Sequence, residues 1–165
     1  MKEWLLNQLF KISSQKIEFN DLVRANALLN EGMLVDPAKL GYTLRTLRAY
    51  IIFALLCAAI LVPLLLATHY IFTLVDFHLS IISAVVVTAL VFMGYDAFKI
   101  YTRKIISKEL IKRAWSEHFP CFEYEKYSKI IEKIYNKATG EAVPKNQLES
   151  YILDKIITEK DENER

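Results

Sequence analysis

The sequence predicts an all-α membrane protein: a two-span transmembrane helical hairpin extended into the cytoplasm, with short amphipathic helices at both ends. Three observations predict it. Ala49 to Val75 carries no charged side chain, and after a lone Asp76 the stretch Phe77 to Tyr95 carries none either. Each run is long enough to cross a hydrocarbon core of about 30 Å as a helix, at about 20 residues per crossing. In lipid the backbone must satisfy its own hydrogen bonds, so two isolated runs are expected to be single helices. The basic residues supply the third observation. Lys39, Arg45 and Arg48 precede the first run, Lys99, Arg103, Lys104, Lys108, Lys112 and Arg113 follow the second, and the connector has no Lys or Arg. The positive-inside rule then places both termini in the cytoplasm and the Val75 to His78 connector outside. Lys and Ile richness with this cytoplasm-facing plan suits a bacterial inner membrane.

Four segments follow from this reading. Residues 1–36 form an N-terminal cytoplasmic helical segment. Residues 37–119 hold two long helices, with transmembrane spans near 49–72 and 78–98. Residues 120–158 form C-terminal cytoplasmic helices, and 159–165, a highly charged stretch, is expected to be a disordered tail.

The opening MKEWLLNQLFKISS resembles a signal peptide only in its first residues. Asn7, Gln8 and Lys11 interrupt the apolar run and no small-residue cleavage site follows, so the first span is expected to insert the chain. Trp4, Leu5, Leu6, Leu9 and Phe10 make an apolar face with an aromatic anchor, suited equally to a head-group layer and to intramolecular packing. After Ser13 and Ser14, Phe19 and Asn20 open a second helix with Leu22, Ala25, Asn26 and Leu29 on one face, ending near Gly32.

Asp36 and Pro37 form an N-cap and first-turn pair. Leu40, Leu44, Leu47 and Ile51 continue an apolar stripe from there, so the first long helix is expected to begin near Pro37. Pro63 should bend it, because proline removes a backbone donor and crowds the preceding turn. On the second span Ser80, Ala84 and Thr88 repeat every four residues, with Ala67 and Pro63 opposite the latter two, a candidate intramembrane packing seam of small side chains. Nothing breaks the second helix from Leu79 to Pro120. Past the membrane, Leu110, Ile111, Ala114, Trp115 and His118 keep an apolar face while Lys104, Lys108 and Lys112 form a basic stripe four residues apart. Beyond Pro120, Tyr124, Tyr127, Ile131, Ile134 and Tyr135 recur at helical spacing until a Thr139 and Gly140 turn. A last helix starts near Pro144 with Leu148, Tyr151, Ile152 and Ile156 on one face. No strands are expected.

Each flank alone is short for an independent core, so folding is expected to depend on the other flank, the membrane or other subunits. Cys57 and Cys121 offer no disulfide framework. Arg45, Arg48, Asp96, Lys99, Arg103, Lys104 and Lys108 are the candidate membrane-interface residues, with Lys and Arg holding anionic lipid head groups. Asp96 is best read as a helix-surface partner of Lys99. His69, Asp76 and His78 lie toward the outer face, but their spacing matches no metal-site type, and no metal or cofactor is expected.

Residues 99–165 hold 14 Lys and Arg against 12 Asp and Glu, too even a balance to drive nucleic-acid binding. No phosphate-binding glycine loop, HExxH or CxxC pattern occurs, and Pro120 with Phe119 and Phe122 makes His118 and Cys121 a packed corner, so no enzymatic activity is expected. Trp115, Tyr124, Tyr127, Ile131 and Tyr151 are the candidate partner-binding residues. The expected function is a small integral membrane structural or adaptor subunit. It would anchor or assemble a membrane complex, through a protein partner or a second copy, by its cytoplasmic amphipathic helices. The alternative is an oligomeric ion channel or pore.

Overall fold

The computed structural model describes the backbone at residues 2–72 and 77–163, and side chains at residues 4, 6–66 and 81–159. In chain order the elements are α1 (Lys2–Leu9), β1 (Phe10–Ile12), α2 (Phe19–Asn30), β2 (Tyr42–Leu44), α3 (Thr46–Phe72), α4 (Phe77–His118), α5 (Tyr124–Gly140) and α6 (Leu148–Asn163). The chain is mostly helical, but the all-α expectation needs one correction: β1 and β2 pair as a two-stranded sheet. Their residues, Phe-Lys-Ile and Tyr-Thr-Leu, are largely aromatic and β-branched, which favours extended backbone. Two further bonds continue the pairing, Ser13 N–H to the Gly41 carbonyl at 2.7 Å and Arg45 N–H to the Leu9 carbonyl at 2.8 Å.

The same region corrects the start of the first long helix. Asp36 does cap a turn, its Oδ1 accepting from the Ala38 N–H at 3.0 Å. That turn closes when the Tyr42 N–H reaches the Pro37 carbonyl at 3.1 Å. Gly41 then adopts φ +64°, a left-handed conformation that a side chain resists and glycine accepts. The strand follows, and α3 begins only at Thr46.

The chain folds as two units. One comprises Met1–Lys11 with Leu44–Thr102, the other Ile12–Thr43 with Arg103–Arg165. Both cut across the four segments expected from sequence: residues 1–36 are divided between them, and α4 passes from one to the other after Thr102.

In the first unit α1 buries Leu6 and Leu9, and the Arg48 guanidinium of α3 donates to Gln8 Oε1 at 2.7 Å. Rings join α3 to α4. Tyr50 stacks on Tyr95 with centroids 4.4 Å apart, and Phe53 meets Tyr95 at 5.3 Å and Phe98 at 5.5 Å. Gly94 lies beside this cluster, where a Cβ would stand in van der Waals contact with Phe53 Cζ, at 3.4 Å.

The second unit supplies the aliphatic core that neither flank has alone. Leu22 and Val23 of α2, Ile106, Leu110 and Ile111 of α4, Ile131 and Ile134 of α5, and Ile152 and Ile156 of α6 are all buried. A buried polar latch fastens α2 to α5: Asn26 Nδ2 donates to the Ser128 carbonyl at 2.8 Å and the Ser128 hydroxyl donates to Asn26 Oδ1 at 2.7 Å. Asn30 Nδ2 adds a bond to the Ser128 hydroxyl at 3.0 Å. Burying amide and hydroxyl groups is tolerable because they satisfy one another. Tyr42 and Ser107 share a second buried bond, 3.0 Å between their hydroxyl oxygens.

Helix ends agree with their local chemistry. α2 stops as expected at Gly32, φ +78°, whose neighbour Met33 sends its N–H back to the Leu28 carbonyl at 2.9 Å. α5 closes in the same manner, with the Val143 N–H on the Ala138 carbonyl at 3.0 Å, but there the left-handed position is Ala142, φ 54°. α6 runs to Asn163, into the stretch read as a disordered tail. Glu and Lys are good helix formers, and a helix already packed through Ile152 and Ile156 supplies the nucleus for them.

Candidate functional site

The most unusual surface of the molecule is the side of α3 and α4. Both helices are long and apolar enough to cross a membrane: Thr46–Leu66 has mean hydropathy 2.8 and Ile81–His118 has 2.0. Length agrees, because 27 and 42 residues extend about 40 and 63 Å at about 1.5 Å per residue. Burial separates these helices from the core helices of a water-soluble protein. Only 6% and 0% of their most apolar stretches are buried. Leu55, Leu65 and Leu66 on α3 and Val85, Leu90, Phe92 and Met93 on α4 all stand exposed. Apolar surface this continuous marks an interaction site, because isolated exposed apolar residues are ordinary but contiguous ones are not.

The small-residue seam lies on this surface. Pro63, Ala84 and Thr88 are exposed, and the Thr88 hydroxyl donates to the Ala84 carbonyl at 2.8 Å, so its polarity is absorbed within its own helix. The side chain of Ser80 lies outside the described residues. So do residues 75 and 76 and the side chains of His69 and His78, which carry the remaining histidine and carboxylate readings of that end.

The charged end of the first unit is better defined. Asp96 pairs with Lys99 at 2.7 Å, the partnership expected from their spacing, and the Lys99 ammonium also sits 5.0 Å from the Tyr95 ring centroid. Arg48 is held by Gln8 and Arg45 is half-buried. In the second unit Arg103 donates to the Val35 carbonyl at 3.4 Å, while Lys104 is half-buried and Lys108 exposed. The sequence reading missed the Tyr50, Phe53, Tyr95 and Phe98 cluster. The signal was present, since aromatic residues gathered at one end of both apolar runs are the pattern of an interfacial belt.

The candidate partner-binding residues divide by burial. Trp115, Tyr127 and Ile131 are in the core of the second unit, and the Trp115 indole N–H donates to the Phe122 carbonyl at 2.7 Å, closing the corner around Pro120. Tyr124 and Tyr151 remain partly exposed. Burial pushes the Tyr124 phenol up. Tyr151 donates to Glu141 Oε2 at 2.9 Å, and that bond raises its pKa. Beside them Lys112 is bonded to Glu125, which lowers the Glu125 carboxyl and raises the Lys112 ammonium. His118 bonds the Ile17 carbonyl through Nε2 at 2.9 Å and meets the Phe19 ring edge-on, while Cys121 is exposed.

These parts make an apolar, lipid-compatible surface in one unit and a compact helical unit with a partly aromatic exterior in the other. No family model, no curated protein and no solved structure matches this chain.

Proposed function

We propose that the chain is a small two-span integral membrane adaptor or structural subunit, with α3 and α4 as its crossings and both termini in the cytoplasm of a bacterial inner membrane. The observation that carries this reading is the composition of the second unit. Residues on both sides of the two apolar helices, Ile12–Thr43 and Arg103–Arg165, fold together, and that requires them to lie on one side of a bilayer. Only an even number of crossings satisfies the requirement. The basic residues outside the spans support the cytoplasmic side.

An adaptor is favoured over a channel because the exposed faces of α3 and α4 are aliphatic and Asp96 is neutralised by Lys99. The second unit then presents the assembly surface, through Tyr124, Tyr151 and the helices between residues 99 and 158, to a protein partner or a second copy. Carbonate extraction with protease protection tests the topology. The protein should stay with the membrane and α5 and α6 should be cut only after the cytoplasmic side is opened. Release by carbonate, or cleavage near Tyr151 from outside intact cells, overturns the proposal. Reconstituted vesicles should be silent in ion-flux measurements, and sustained flux would favour the channel.

A further inference from the structure

We propose that α1 is an interfacial foot lying in an anionic lipid head-group layer, with Trp4 as its anchor. This rests on the membrane reading above and adds the lipid class and the element that meets it. The aliphatic side of α1 is already occupied: Leu6 is 3% and Leu9 0% exposed, yet Trp4 is 62% exposed. The indole therefore faces away from the packed side of the helix. The Arg48 to Gln8 bond ties α1 to the first turns of α3, where the exposed apolar surface begins with Leu47, Tyr50 and Ile51. On α4, Lys99 reaches the Tyr95 ring that Tyr50 stacks upon, and Tyr101 beyond it is exposed.

Trp4, Tyr50 and Tyr101 are thus three exposed rings with polar tips at one end of the apolar surface. Indole and phenol prefer that boundary because one part of the ring is apolar and the other seeks water. Charge selects the head group. The described residues of this end carry Lys11, Arg45, Arg48 and Lys99 against Asp96, and Asp96 is already bonded to Lys99. A cationic surplus continuous with a lipid-compatible face fits lipid phosphates better than a protein surface.

The test uses the whole chain in phosphatidylcholine vesicles with and without phosphatidylglycerol. The chain has two tryptophans, so the difference in fluorescence between the natural protein and Trp4→Phe reports Trp4 alone. The expected result is shielding of Trp4 from aqueous acrylamide. Quenching by a nitroxide on the lipid head group is also expected, about twofold stronger when anionic lipid is present. Free access of acrylamide to Trp4, with the protein still resistant to carbonate, overturns the foot and leaves the crossings standing. Equal head-group quenching in both vesicle types overturns the anionic preference. Release of the protein by carbonate overturns the foot together with the membrane reading.

Discussion

Single residues in the second unit carry predictions of opposite sign. Ala142 holds a left-handed conformation, φ 54°, which costs an L-residue roughly 1–2 kcal/mol, while glycine would lose more freedom on folding. Ala142→Gly should therefore stabilise the unit by about 0.5 kcal/mol, the difference between these effects. Denaturant titration in detergent micelles, followed by helical signal, measures it, and a loss of stability would show that the turn is not strained. Asn26 predicts the reverse. It is fully buried and both bonds it makes with Ser128 are short, so Asn26→Ala removes both, leaves Ser128 only its longer bonds to Asn30, and should cost about 2 kcal/mol in the same titration.

Acid should weaken the Lys112 to Glu125 tie. The folded-state Glu125 carboxyl lies below its ordinary value because the Lys112 ammonium is bonded to it. Its contribution is therefore present above the ordinary carboxylate range and is lost as pH falls through the lowered folded value. Melting curves of the natural chain and Glu125→Gln should differ most near neutral pH and converge in acid. Equal differences at every pH would remove the ion pair as the cause.

Among the elements, α4 offers the sharpest test of what covers an apolar face. Val86 lies on it, 51% exposed, and Arg at the centre of a crossing costs about 3 kcal/mol on insertion scales. Val86→Arg should reduce the carbonate-resistant fraction severalfold. An unchanged fraction would mean that something other than lipid covers this face. Apolar runs, helix stops and the Asp96 and Lys99 pair were legible in the sequence because each depends on near neighbours: hydropathy over one window, Gly32 after one helix, a spacing of three residues. The start of α3 was not. Asp36 and Pro37 make the same local signal whether a helix or a single turn follows, and the outcome was decided by Gly41 and by pairing with Phe10–Ile12, far away in sequence. That Trp115, Tyr127 and Ile131 face inward was not legible for a related reason. An amphipathic stripe shows which side of a helix is apolar, and it is silent on whether the partner is another chain or a distant part of the same one.

For the whole molecule, one unit built from two distant stretches predicts coupled behaviour. Leu22 is fully buried in α2, and a carboxylate there would be costly to bury. Leu22→Asp should therefore expose α5 and α6 to limited proteolysis as readily as α2 itself. Cleavage confined to α2 would show that the flanks fold separately.

The same construction imposes an order on biosynthesis. Ile12–Thr43 leaves the ribosome well before Arg103–Arg165, with every residue of Leu44–Thr102 between them. A nascent chain halted anywhere in that interval holds Leu22 and Val23 without their later companions. The second unit therefore cannot close until the apolar middle has been synthesised, so a polypeptide cut short keeps two greasy side chains uncovered and open to proteolysis.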